Sequence, residues 1–266
     1  MFKNFREEQA RADERELLKA KINDKYKFAN SKNKITNTDF LNMAERSVAE
    51  QFLKENFIKN YIFFGGNGDE SDRNILIFFP EKFTKEMVQK NYGKMLSVIR
   101  IELPKDEKYE HRIYLSGIMK LGIKREKVGD ILVKTNGADI IVLNEVSQFL
   151  LTNLQDLTRF RRAKFSIVNI NDVETQEKEF ENLKVIVSSM RLDCFVSELA
   201  RTSRTKAVEL IESQRVFVNY NLETKFSKKI NEGDTITIRG KGKFIVENIV
   251  SKTKSDKYFV NIKKYV

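Results

Sequence analysis

Two clusters of polar residues in the last third of the chain have the types and spacing that suit phosphate binding. Arg191-Leu192-Asp193 begins one segment with helical apolar spacing, and Ser203-Arg204-Thr205-Lys206 begins a second. Ser203 is a favourable N-cap residue, which places Arg204 and Lys206 on the first helical turn. Because free backbone N–H groups and the helix dipole favour anions there, the pattern predicts a phosphate-binding helix end. We expect both side chains to point away from the apolar stripe of that helix.

Positive charge is concentrated in the same third of the chain. Residues 185–266 contain 16 Lys and Arg against 9 Asp and Glu, an excess of seven within a whole-chain net charge of +11. Such a concentration indicates a nucleic-acid-binding module. A solvated lysine-rich surface would give the same count, so charge alone leaves both interpretations open. The two basic helix starts favour nucleic acid.

The other residues that could do chemistry do not form a recognisable catalytic or metal motif. Gly65-Gly66-Asn67-Gly68 is not followed by Gly-Lys-Ser/Thr, so it is interpreted as a flexible hairpin loop. His111 is the single histidine and Cys194 the single cysteine, too few for a zinc site or an internal disulfide. Cys194 is interpreted as a small buried hydrophobe. We therefore expect no metal, no cofactor and no catalytic residue.

One alternative concerns Arg191-Leu192-Asp193, which resembles the catalytic Arg-Leu-Asp of pseudouridine synthases. In those enzymes the aspartate lies within a large catalytic sheet domain, whereas here only 73 residues follow Asp193. Asp193 is therefore interpreted as a helix-start carboxylate.

Composition indicates an ordinary globular protein. The 266 residues are enough for two or three small domains, and 41% of them are hydrophobic and 33% charged. The sequence shows neither a run of 18 apolar residues nor an apolar signal-peptide core. We expect a cytoplasmic protein without a membrane partner.

The periodicity predicts an α+β protein with three parts. The first, residues 1–75, is helical with a β-hairpin, and the second, residues 76–180, has the element order βαββαβ. That is the order of the ferredoxin-like sandwich, which RNA-recognition motifs share. The third part, residues 181–266, holds the two basic helix starts, and residues 171–182 are the predicted linker. The predicted elements of the second part are strands at 95–103, 130–134, 138–143 and 164–170, a helix at 111–121, and a helix capped by Asn144 that runs to about 157.

A recognition motif stacks bases on aromatic residues of its two central strands. Residues 95–103 and 138–143 contain no aromatic residue, so RNA contacts in the middle domain are expected from basic groups and loops. The candidates for this secondary contact are His111, Arg112, Lys124, Arg125, Lys127, Arg159, Arg161, Arg162 and Lys164.

Two sets of motifs carry a resemblance to known families. The two helices, the strand Val216-Phe217-Val218, the turn at Asn219, Glu232-Gly233-Asp234 and the run Arg239-Gly240-Lys241-Gly242-Lys243-Phe244 together resemble the S4 (αL) RNA-binding domain. Leu121-Gly122-Ile123-Lys124-Arg125-Glu126-Lys127-Val128-Gly129-Asp130-Ile131 is the more specific motif. With Phe64-Gly65-Gly66 and Asp72-Arg73 before it, the chain resembles, over nearly its whole length, the YlmH family of bacterial S4-domain RNA-binding proteins.

The resemblance implies a helical N-terminal domain, a recognition-motif-like middle domain and a C-terminal S4 domain. It also implies RNA binding without known catalysis, on large ribosomal subunits that carry stalled peptidyl-tRNA in ribosome-associated quality control. Some members are linked to cell division. The RNA-contact positions that it implies are Arg191, Ser203, Arg204, Thr205, Lys206, Asn219 and Lys243.

One departure from the S4 pattern adds a candidate. S4 domains usually have Gly after the second helix, where this chain has Gln214 followed by Arg215, which adds a possible phosphate contact. The function expected is binding of rRNA or tRNA by a monomer. The alternatives are an RNA-modification enzyme or its accessory, and a division-linked scaffold.

Overall fold

The protein is described from a computed structural model that covers residues 2–68, 71–173, 180–252 and 256–265. It mixes helices and sheets, which confirms the predicted α+β class. The chain forms two compact units, Met1–Gln176 and Glu177–Val266. Within the described ranges, no helix is long and apolar enough to cross a membrane.

The N-terminal unit contains six helices and seven strands in its described part. Its helices are α1 (Phe2–Lys32), α2 (Met43–Glu55), α3 (Lys85–Gln89), α4 (Tyr92–Met95), α5 (His111–Lys120) and α6 (Asn144–Leu154). Its strands are β1 (Thr36–Asn37), β2 (Tyr61–Phe64), β3 (Ile75–Phe78), β4 (Leu96–Glu102), β5 (Val128–Lys134), β6 (Gly137–Leu143) and β7 (Lys164–Val168). They form one sheet of order β1-β3-β2 and one of order β5-β6-β4-β7.

This unit is layered, with the two sheets facing each other. On β3, alternate side chains serve two cores: Leu76 and Phe78 pack with helices α1 and α2, whereas Ile75 and Ile77 pack against the four-stranded sheet. Helices α5 and α6 cover the opposite face of that sheet. Each sheet is therefore buried on both faces over much of its area.

The sequence located most of these elements, and two expectations were wrong. A domain boundary between residues 75 and 76 would divide β3, which hydrogen-bonds with β1 on one side and β2 on the other. Asn144 is the first residue of α6 and not its cap, since the N-cap position is Leu143. The Asn144 side chain instead accepts a hydrogen bond of 2.5 Å from the Ser97 hydroxyl of β4.

The C-terminal unit contains helices α7 (Leu192–Ala200) and α8 (Arg204–Glu212) on a single sheet. Its strands are β8 (Phe180–Val187), β9 (Val216–Val218), β10 (Asn221–Leu222), β11 (Thr235–Ile238), β12 (Gly242–Lys252) and β13 (Tyr258–Tyr265), in the order β10-β9-β11-β12-β13-β8. Both helices pack on one face of the sheet, around Phe195 and Phe244. The predicted linker includes residues 174–179, which lie outside the described ranges, and its last part is already strand because β8 begins at Phe180.

Candidate nucleic-acid interface

Asp193 lies at the centre of the predicted phosphate-binding cluster. Its carboxylate is 2% exposed and accepts hydrogen bonds from two arginines. Arg191 Nε donates to Oδ1 at 3.0 Å, and Arg204 Nε donates to Oδ2 at 2.8 Å. Arg191 also lies over the Phe226 ring, 5.3 Å from its centre. One buried carboxylate therefore links the start of α7 with the start of α8.

The two arginines decide the charge state of this carboxylate. Burial by itself would raise the pKa of Asp193, but the hydrogen bonds from Arg191 and Arg204 outweigh it, so the pKa lies below the ordinary 3.8. Asp193 is thus more than a helix-start carboxylate. The prediction that the Arg204 side chain points away from the apolar stripe of its helix did not include this partner: Arg204 Nε donates to Asp193, and the remaining guanidinium nitrogens are the ones left for phosphate.

The start of α8 has the capping that the sequence predicted. Ser203 is the N-cap residue, and its hydroxyl accepts a hydrogen bond of 3.3 Å from the Lys206 backbone N–H. Ser203, Thr205 and Lys206 are exposed. Because the first turn of a helix attracts anions, Lys206 is placed where its charge and the helix end act together.

A basic groove lies beside α8. It has a volume of about 440 Å³ and is lined by Ala200, Arg201, Thr202, Lys206, Glu209, Leu210, Ser213, Arg215 and Lys241. Four of these residues are cationic and one is acidic. We call this the α8 groove. Its charge and its position beside the helix start suit the phosphates of a nucleic acid.

Backbone geometry sets the two ends of this groove. Arg201 caps α7 in the left-handed region, at φ 51° and ψ 58°. Gln214, where S4 domains usually have glycine, also has a positive φ of 61°. The chain thus keeps the left-handed geometry without glycine, and Arg215 follows at once. Arg215 Nη2 donates to the Arg239 carbonyl at 3.1 Å, which fixes it beside the turn that carries Lys241.

Asn219 holds a tight turn. Asn219 and Tyr220 both have positive φ, as a two-residue hairpin turn requires. The Asn219 amide donates to Asp234 at 2.8 Å and accepts from the Thr235 backbone N–H at 2.9 Å. These contacts give Asn219 a structural role. Its contact with RNA stays a prediction.

Lys243 lies away from the α8 groove. Its Nζ is 4.7 Å from the centre of the Tyr220 ring and 4.3 Å from that of Tyr265. Since alternate residues of β12 point to opposite faces of the sheet and Phe244 is in the core, Lys243 belongs to the face opposite the helices. The structure therefore separates Lys243 from Lys206 and Arg215, the candidates that line the α8 groove.

Several basic candidates of the middle region are engaged in the fold of the N-terminal unit. Arg125 donates to the carbonyls of Val128 and Gly129. Burial and the neighbouring Arg73 lower the pKa of Arg125 to about 10. Lys127 bridges Asp39 and Glu145, at 2.7 Å each. These contacts stabilise the N-terminal unit.

The remaining middle candidates are paired, exposed or, for Arg112 and Arg162, both. Arg162 pairs with Asp106 and Glu107, and Arg159 donates to the Ser116 hydroxyl at 2.9 Å. Arg112 pairs with Glu110 at 3.1 Å. Desolvation and then Arg125 lower the pKa of His111, so its imidazole is mainly neutral at pH 7. The exposed side chains are those of His111, Arg112, Lys124, Arg161, Arg162 and Lys164.

The four-stranded sheet offers little surface to a base. Its central strand β6 is buried along its whole length. On the face opposite α5 and α6, residues such as Ile141 pack against Phe40, Ile75 and Ile77 of the preceding segment. This packing gives a physical reason for the missing aromatic residues: the face that a recognition motif uses for RNA is largely core here.

The sequence reasoning missed part of the basic surface. Arg201 and Lys241 line the α8 groove, and Arg239 lies over the Phe217 ring at 5.0 Å. The signal for Lys241 and Arg239 was the run Arg239-Gly240-Lys241-Gly242-Lys243. Gly240 has φ 79°, and the turn sends neighbouring cations to different surfaces. Among the described residues, no group of three His, Cys, Asp or Glu could hold a metal ion.

Comparison with known proteins shows similarity over part of the chain to a family model and over most of it to a curated protein. Residues 88–177 match the family model described as "Putative RNA-binding domain in YlmH". The chain is 29% identical over 229 residues to "Ribosome-associated protein quality control protein P2" of Bacillus subtilis (strain 168), covering 85% of this chain and 86% of that protein. The solved structure of "Cell division protein ylmH from Streptococcus pneumoniae" is similar with a TM-score of 0.45 at 17% identity, over 63% of this chain and 95% of that one. Residues 88–177 thus match an RNA-binding domain described in YlmH, and most of the chain is similar to a protein of ribosome-associated quality control.

Proposed function

We propose that this protein binds structured rRNA or tRNA on the large ribosomal subunit, in the quality control of stalled complexes that carry peptidyl-tRNA. The observation that carries the proposal is the α8 groove, which brings Arg201, Lys206, Arg215 and Lys241 together beside a capped helix start. The family model for residues 88–177 supports RNA binding. The relative named for ribosome-associated quality control supports the ribosome as the partner.

The mechanism that the geometry suits is phosphate recognition. Lys206 and Lys241 are exposed point charges that can replace counterions on the RNA backbone. Asp193 holds Arg191 and Arg204 in fixed positions at 3.0 and 2.8 Å, which reduces the entropy lost when RNA binds. The lowered pKa of Asp193 keeps this carboxylate charged at neutral pH, so the arrangement persists. Binding by these groups involves no chemical step.

The proposed architecture follows from the same observations. The strand order β5-β6-β4-β7 with α5 and α6 on one face supports a ferredoxin-like middle domain. The two-helix arrangement on the C-terminal sheet supports an S4 domain within Glu177–Val266. We propose that the protein acts as a cytoplasmic monomer without catalytic activity of its own.

The test is co-sedimentation of the full chain with purified large ribosomal subunits. Lys206→Glu combined with Lys241→Glu should reduce binding at least about tenfold, because two phosphate contacts become repulsive. The matched control is Lys27→Glu combined with Lys59→Glu, which reverses two exposed charges of the N-terminal unit outside residues 88–177. A groove variant that melts normally and co-sediments like wild type would overturn the proposal.

A further inference from the structure

The face of the C-terminal sheet opposite α7 and α8 carries a row of aromatic and basic side chains. Phe217 of β9 pairs with Thr237 of β11, and Thr237 pairs with Lys243 of β12. Lys243 contacts Tyr265 of β13, which pairs with Phe180 of β8. The row crosses five strands, roughly 19 Å at the usual strand spacing. Together with Tyr220, whose ring Lys243 also contacts, we call it the aromatic row.

The rings of this row are paired with cations. Arg239 lies over Phe217 at 5.0 Å, and Lys243 lies between Tyr220 and Tyr265 at 4.7 and 4.3 Å. Tyr265 and Phe180 meet edge to face, with ring centres 4.8 Å apart. All four rings are partly exposed. Each cation is therefore held beside a ring, where it can also reach the phosphates of a nucleic acid that passes along this face.

The charge and shape of this face select among possible partners. Lys184 and Lys263 add two more cations, and Lys263 pairs with Glu247 at 2.6 Å. A row of planar rings with positive charges beside them is complementary to a polyanion with planar monomers. Single-stranded nucleic acid has both properties, because its bases stack on aromatic side chains while a basic groove follows the backbone.

We propose that the aromatic row binds a single-stranded segment of RNA, with bases stacked on Tyr220 and Tyr265 and phosphates held by Arg239 and Lys243. This surface is separate from the α8 groove and does not require that the groove binds RNA. It provides the base-stacking sheet that the four-stranded sheet of the N-terminal unit lacks.

The test uses the full chain and a fluorescent twelve-nucleotide oligouridylate as the probe, followed by anisotropy at low salt. Tyr220→Ala combined with Tyr265→Ala should weaken binding by about tenfold or more. Tyr220→Phe combined with Tyr265→Phe keeps both rings and should bind like wild type. A probe that contains 4-thiouridine should crosslink to the peptides that carry these tyrosines.

Three results would overturn the proposal. The first is an alanine variant that melts normally and binds the probe like wild type. The second is equal loss in the alanine and phenylalanine variants, since the rings would then not be the contact. The third is wild-type protein that binds phosphatidylglycerol–phosphatidylcholine vesicles and not the probe. The two surfaces are tested separately. Lys206→Glu combined with Lys241→Glu should weaken binding to large ribosomal subunits, and Tyr220→Ala combined with Tyr265→Ala should weaken binding to the probe.

Discussion

The Arg204 guanidinium of α8 donates to the Asp193 carboxylate of α7 at 2.8 Å, and that carboxylate is 2% exposed. The side chain of Arg204 itself remains 55% exposed. One end of the pair is therefore part of the core of the C-terminal unit, and the other end is on its surface. A charge reversal at Arg204 has to act on folding as well as on binding.

We expect Arg204→Glu to destabilise the C-terminal unit by about 2–3 kcal/mol, because it sets a carboxylate against the buried Asp193. Arg204→Gln should cost about 1 kcal/mol, since Arg191 still neutralises Asp193. Lys206→Glu, on the same turn, should change stability by less than about 0.5 kcal/mol, because the helix start favours an acid there. Thermal and urea unfolding measure all three. Equal melting of Arg204→Glu and Lys206→Glu would contradict the coupling.

The pH dependence of stability should reveal the contribution of the ion pair between Arg204 and Asp193. The pKa of Asp193 is lower in the folded protein than its ordinary 3.8, so the unfolded state binds the proton more tightly. The stabilisation is present above the unfolded pKa and is lost as pH falls through the folded pKa. We therefore expect the difference in stability between wild type and Asp193→Asn to be largest near neutral pH and to shrink below about pH 4. A difference that stays constant down to pH 3 would argue against the ion pairs.

Two glycines of the N-terminal unit should respond very differently to the same change. A Cβ on Gly137 would lie 1.8 Å from the Ile101 carbonyl oxygen, whereas one on Gly122 would meet nothing within 4 Å. Both residues have positive φ, 142° and 78°. Gly122→Ala should cost about 1 kcal/mol from backbone strain alone. Gly137→Ala has to separate β4 from β6 and should cost more than about 3 kcal/mol. Urea unfolding compares the two, and similar midpoints would contradict this account.

The features of this protein that the sequence predicts well are local ones. The Ser203 cap, the hairpin of β2 and β3, and the element order from β4 to β7 each depend on residues within a few positions of one another. The pairing of Arg204 with Asp193 does not depend on nearby residues. Asp193 is 11 positions away on another helix, and its burial follows from tertiary packing. The α8 groove was missed for the same reason, since Arg201 and Lys241 meet only after the sheet and helices assemble.

The run from Arg239 to Lys243 shows that composition predicts a basic surface but not which residue lies on which surface. Its three cations are equivalent in sequence, and all contribute to the excess charge of the last third of the chain. The structure places Lys241 in the α8 groove, while Arg239 and Lys243 lie over rings of the aromatic row. The turn between β11 and β12, in which Gly240 has φ 79°, separates Lys241 from the other two. Their contributions to RNA binding are therefore expected to differ.

The salt dependence of binding should reveal that difference. Each phosphate contact adds roughly 0.7–0.9 to the slope of log affinity against log salt concentration. We expect Lys241→Gln and Lys206→Gln each to reduce the slope for large ribosomal subunits by about that amount. The control is Lys27→Gln, an exposed lysine of α1, which should leave the slope unchanged.

The measurement is quantitative binding of the full chain to large subunits between about 50 and 200 mM salt, a range over which phosphate-driven binding changes strongly. Lys243→Gln should leave the slope for large subunits close to that of wild type if the subunit binds chiefly through the α8 groove, while it weakens binding of the oligouridylate. If Lys206→Gln and Lys241→Gln lowered affinity equally at every salt concentration, their contacts would not be ionic. Phosphate binding by the α8 groove would then be wrong, even if both variants bound more weakly.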